Sequence, residues 1–75
     1  MKKALSWKRP YRLWDEQKKK DFPYRCFAIE RNAQNAALMQ ARWMQVGASI
    51  TVYDINDARV LGTYTRRVSS VTFLK

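Results

Sequence analysis

"ITVYDINDARVLGTYTRR", Ile50 to Arg67, is the stretch that decides the fold. Two runs of alternating apolar and polar residues flank the turn formers Asn56 to Arg59, and β-branched and aromatic residues fill both runs. Such a pattern predicts an antiparallel hairpin with one buried face. An even-length turn centred on Asp57 and Ala58 sets Ile55 opposite Val60, Tyr53 opposite Gly62 and Thr51 opposite Tyr64. One face then carries Thr51, Tyr53, Ile55, Val60, Gly62, Tyr64 and Arg66. The other carries Ile50, Val52, Asp54, Leu61, Thr63, Thr65 and Arg67. The second set is aliphatic at its centre and is expected beneath a helix. The first is expected to stay open, with two tyrosines beside an arginine.

The helix to cover that face precedes the hairpin. "RNAQNAALMQARWMQVGA", Arg31 to Ala48, has helical period, with Ala33, Ala36, Ala37, Ala41, Trp43 and Met44 in one stripe. Asn32 is placed to cap its start and Gly47 to stop it. An alanine-rich stripe lets a helix lie close to a sheet. Upstream, "YRLW", Tyr11 to Trp14, and "FPYRCFAIE", Phe22 to Glu30, read as two strands joined by the polar run Asp15 to Asp21. Trp14 is expected in the core. "VTFLK", Val71 to Lys75, adds a last short strand. The order β-β-α-β-β-β implies an α+β fold: a small antiparallel sheet with one helix packed on one face. Residues 1–10 form a basic, flexible N-terminal arm, and 11–75 a single α+β domain.

A chain of 75 residues has room for one modest core. Its net charge of +9 calls for an acidic partner. The first 25 residues hold nine cations against three acids, a net +6, so the arm and first hairpin carry most of the field. Lys2, Lys3, Lys8, Arg9, Arg12, Lys18, Lys19 and Lys20 are the expected contacts to phosphate or to an acidic protein, joined by Arg66 and Arg67 from the second hairpin. Lysines on a loop suit backbone contact rather than base reading, and a lysine run is also what an ordinary solvated turn looks like. Trp7, Tyr53 and Tyr64 are the candidates for stacking or anchoring. A tyrosine folded over a strand glycine also stabilises a hairpin with no ligand at all.

Several classes of chemistry are disfavoured. The chain has no histidine and one cysteine, so neither an internal disulfide, nor a usual zinc site, nor a cysteine–histidine nucleophile can be assembled. Cys26 is read as a small buried hydrophobe. With two glycines in all, no phosphate-cradling loop is present. Catalysis, cofactors and metals are therefore not expected. No run approaches a membrane span, no apolar segment follows the basic start, and low cysteine use fits a cytoplasmic setting. In size and basic make-up the chain resembles small accessory proteins of phages and mobile elements, a likeness that no motif carries and that assigns no residue a role. The expected function is a small non-enzymatic nucleic-acid-binding protein, for DNA or RNA. The alternative is a protein-interaction module or inhibitor of the phage-accessory type, docking on an acidic surface. A homodimer is a third arrangement.

Overall fold

The computed structural model describes residues 8–75. Five strands, β1 (Tyr11–Asp15), β2 (Lys20–Phe27), β3 (Ser49–Asp54), β4 (Arg59–Arg66) and β5 (Val71–Leu74), form one antiparallel sheet in the order β2-β1-β3-β4-β5. The helix α1 (Glu30–Arg42) connects β2 to β3 and packs across one face. The expected α+β architecture and element order hold.

The core lies between α1 and the sheet. Ala33, Ala37 and Ala41 are fully buried against Leu13, Ile50 and Val52, with Leu61 and Tyr64 completing the cluster. Alanine at every contact turn keeps the helix backbone near the strands, so larger aliphatic side chains from β1 and β3 fill the layer. Ala36 and Met44 pack partly against this cluster. Trp43 departs from the expected stripe: it caps the end of α1 and is 84% exposed. The last turn is tightened there by the Trp43 N–H donating to the Gln40 carbonyl at 3.1 Å, which rotates position 43 out of the buried row.

The helix boundaries also differ from expectation. Ile29, extended at φ −117° and ψ 129°, is the N-cap, and no side chain caps the helix. Asn32 therefore lies inside the first turn, where Glu30 complements the helix dipole. Gly47 adopts φ +96° but lies beyond the helix end, in the connection to β3, and donates its N–H to the Arg66 carbonyl at 2.8 Å. It joins the helix exit to β4 instead of terminating α1.

The second hairpin folds in a different register from the one an even turn implies. The Asp54 carboxylate accepts from the N–H groups of Asn56 (2.9 Å) and Asp57 (3.3 Å), an Asx-type turn. With Ala58 left-handed at φ 51°, the loop spans 55–58 and pairs Asp54 with Arg59 and Tyr53 with Val60. A bulge at Leu61 then brings Val52 opposite Gly62 and Ile50 opposite Tyr64. Tyr64 and Gly62 consequently share the helix side with Ile50 and Val52, and Tyr53 stays on the other. Tyr64 is buried, donates its hydroxyl to the Gln34 side chain of α1, and packs its ring 4.7 Å from that of Phe73. A β-carbon at Gly62 would overlap the Phe73 ring, so only glycine lets β5 close over β4.

The first hairpin carries a larger irregularity. Arg12 opposes Cys26 while Trp14 opposes Asp21, so Leu13 alone faces the four residues Phe22 to Arg25 on the edge strand. Tyr24, at the crest of this bulge, has φ +61° and is 99% exposed.

Candidate functional site

Chain direction decides where the cations meet. β1 and β4 both run toward the end of the sheet where α1 finishes, so the β1–β2 turn and the β4–β5 turn project from that same end. Hydrogen bonds tie the end together: the Glu16 N–H donates to the Ser49 carbonyl at 3.2 Å, and the Arg66 N–H to the Ala48 carbonyl at 2.9 Å. Lys18, Lys19 and Lys20 from one turn, Arg66 and Arg67 from the other, and Arg42 from the last turn of α1 therefore form one basic rim. The two turns are three strand spacings apart, about 14 Å at the usual interstrand distance.

The rim is held by its own acids. One oxygen of the buried Asp15 carboxylate accepts from the Gln17 N–H (2.9 Å), the Gln17 side-chain amide (2.8 Å) and the Lys18 N–H (3.2 Å). Glu16 accepts from the Thr51 hydroxyl at 2.5 Å and pairs with Lys19 at 3.6 Å. Lys19 takes the left-handed turn position at φ 57°. Among the described residues no ion pair forms at Lys18 or Lys20, and both are exposed. On the opposite turn, Arg66 Nη1 donates to the Arg67 carbonyl at 2.5 Å and lies 3.5 Å from those of Val68 and Ser70, while its Nε is buried without an acceptor. The guanidinium thus braces the turn. Arg67 is exposed, with Nε 3.3 Å from the Thr72 hydroxyl. Between α1 and the β4–β5 turn, Arg42, Arg66, Ser69 and Ser70 border a hollow of about 480 Å³ together with Leu38 and Val71.

The other expected cations lie elsewhere. Lys8 and Arg9 are exposed at the opposite end, where the Pro10 carbonyl accepts the Ile55 N–H at 3.0 Å. Arg12 stands on the uncovered sheet face opposite Cys26 and Tyr53, its Nε 3.4 Å from the Arg9 carbonyl. Lys2, Lys3 and Trp7 fall outside the described residues. The structure brings together Lys18 to Lys20 with Arg66 and Arg67, and separates them from Lys8, Arg9 and Arg12. Arg42 was not singled out in the sequence, because its place at the rim follows from where the helix ends.

The uncovered face is less basic than its tyrosines suggested. Trp14, Thr51, Tyr53, Ile55 and Val60 line a shallow groove of about 610 Å³ with Glu16 and Arg59 at its margin. Trp14 is half-buried here and is not in the helix-side core; Cys26, on the same side, is also only half-buried. Threonine and serine hydroxyls form cross-strand rungs, Thr51 with Thr63 at 3.1 Å and Ser49 with Thr65 at 2.9 Å. Tyr53 donates its hydroxyl to both Asp21 carboxylate oxygens at 2.7 and 2.8 Å. Burial, followed by that hydrogen bond and the Asp21 charge, pushes the Tyr53 phenol up to about 12, with Arg12 acting the other way. Tyr64 cannot share this face as a stacking partner, since the bulge at Leu61 turns it under α1; burial raises its phenol as well.

A folded-state phenol raised above its ordinary value stabilises the fold below pH 10, and that stabilisation is lost as pH rises toward 12. Alkaline unfolding of the wild type is therefore expected to steepen between pH 10 and 12. Tyr53→Phe should remove the part owed to residue 53, read as a shallower fall of melting temperature over that window. An unchanged profile would mean that neither burial nor Asp21 raises the Tyr53 phenol in the fold.

Among the described residues no group of acids and cysteine is arranged to hold a metal ion, and no helix is long and apolar enough to cross a membrane. No protein-family model, curated protein or solved structure matches the chain.

Proposed function

We propose that this protein is a small non-enzymatic nucleic-acid-binding module that grips the phosphate backbone with the rim of Lys18, Lys19, Lys20, Arg42, Arg66 and Arg67. The observation that carries the reading is that two basic turns far apart in sequence project from one end of the sheet, with Arg42 of α1 beside them. Of the acids near them, Asp15 and Glu16 are occupied in shaping the lysine turn, and Asp21, next to Lys20, accepts from the Tyr53 hydroxyl. Fixed turns carrying exposed cations suit a regularly spaced polyanion, which rewards a row of point charges without demanding base readout. The sheet face plays the lesser part, because Asp21 and Glu16 set negative charge beside Tyr53 and Thr51.

A mobility-shift titration over a series of salt concentrations tests this. Six cations on duplex DNA predict a slope of about −5 in log affinity against log salt, at about 0.9 per phosphate neutralised. Absence of binding to both single- and double-stranded probes at low salt would rule out the proposal and leave an acidic protein surface as the target.

A further inference from the structure

Among the described residues, two aromatic side chains stand almost wholly in solvent. Tyr24 projects from the bulge of β2, 99% exposed and held at φ +61°, a conformation that glycine or asparagine adopts far more readily than tyrosine. Trp43 stands 84% exposed at the end of α1. A residue that is strained and solvent-facing at once is costly to a domain this small, so the outlier calls for a function outside the fold.

The surroundings indicate which one. Arg25, next to Tyr24 in the chain, meets Ala36, Met39, Gln40 and Trp43 of α1 around an open hollow of about 350 Å³. No carboxylate lines it. Arg42 stands beside it, its Nη1 3.9 Å from Met39 Sδ and in no ion pair among the described residues. Arg42 also borders, with Arg66, the hollow between α1 and the β4–β5 turn, so basic surface continues from that part of the rim onto this side of the helix.

We infer that this hollow, together with Tyr24 next to Arg25 in the chain, is a binding site for the unpaired bases of single-stranded nucleic acid. Bases stack on the Trp43 and Tyr24 rings, and Arg25 and Arg42 hold the intervening phosphates. Every nucleobase offers a π-face, so exposed rings flanked by arginines accept a strand irrespective of sequence. A duplex keeps its bases stacked inside and makes no use of these rings. The site rests on the nucleic-acid reading for its polyanionic ligand, and adds to it a preference for unpaired strands.

Fluorescence anisotropy with labelled oligo-dT, a labelled mixed-sequence duplex and labelled poly-glutamate tests it on the full chain. The strand should quench tryptophan emission in the wild type, and Trp43→Ala should abolish the quenched part. Trp43→Ala and Tyr24→Gly are each expected to weaken oligo-dT binding about 5- to 150-fold while leaving duplex affinity unchanged. Glycine accepts the left-handed conformation freely, so Tyr24→Gly should raise the melting temperature as it weakens binding, and the loss cannot then be ascribed to unfolding. Unchanged oligo-dT affinity in both variants, with duplex binding intact, would overturn this inference and leave the rim reading standing. Failure of the wild type to bind either nucleic acid would overturn both. If poly-glutamate, charged but without bases, showed the same sensitivity to Trp43→Ala, the surface would be a protein-docking site and the inference would also fall.

Discussion

The variant Lys18→Gln/Lys20→Gln/Arg66→Gln/Arg67→Gln is expected to flatten the salt dependence of DNA binding by about 3 to 4 units of slope, at about 0.9 per phosphate contact. These positions are chosen because the fold leaves their charge largely unspent. Lys18 and Lys20 form no ion pair among the described residues, whereas Lys19 is pinned to Glu16 at 3.6 Å. Arg67 extends from the end of β4 into solvent. Arg66 also braces the turn through its Nη1 contacts, so the triple variant that keeps it separates charge from turn geometry and should still lose about 2 to 3 units of slope. The control matching the triple variant neutralises Lys8, Arg9 and Arg31, exposed at the other end of the sheet where β1 and α1 begin. Its slope should stay near that of the wild type. Equal loss in variant and control would show that net charge alone drives binding and that the rim is not a site.

Leu13→Ala is expected to remove most of the fold's stability. Leu13 is fully buried, pairs with Val52 across β1 and β3, and belongs to the cluster that includes the three buried alanines of α1. Truncating a leucine so placed costs about 2 to 5 kcal/mol, because the lost transfer energy is joined by the cavity left behind. A domain of 75 residues has only about 4 to 11 kcal/mol in total, at 0.05 to 0.15 per residue. The layer has little capacity to collapse into the gap: its helix side is already alanine, and β3 is paired on both edges. Chemical denaturation followed by circular dichroism should show a large drop in midpoint or a chain largely unfolded without denaturant. A loss under about 1 kcal/mol would mean that the helix and sheet are not in intimate contact at this position.

The elements were legible from the chain because each has a local cause. The alternation of Ile50 and Val52 with polar neighbours marks a strand whose one face is buried. The alanine spacing at 33, 37 and 41 marks a helix lying against it, and both features occur as expected. The lysine run could be placed on a turn from its lack of apolar members. Side-chain facing in β4 was not legible. It depends on Asp54 drawing in the Asn56 and Asp57 N–H groups to make a longer loop, and on one extra residue at Leu61. Two small backbone events thus moved Tyr64 from the open face to the core. Asn32 failed as a cap for a related reason: tertiary packing carried the helix back to Glu30, where Ile29 closes it without a side-chain bond.

By itself the sequence determined the element order, the α+β class and the excess of positive charge, since periodicity, turn chemistry and net charge are properties of short segments and of composition. Only the tertiary structure decided which charges stand together. Lys18 and Arg66 stand at the same end because β1 and β4 run the same way and both turns project where α1 ends. It likewise decided which aromatics are free: Tyr64 is spent on Gln34 and Phe73, and Tyr53 on Asp21, while Tyr24 and Trp43 reach solvent. The physical reason is common to both. Strand direction, bulges and helix length are settled by pairing and packing between distant segments, and no local pattern in the chain records their sum.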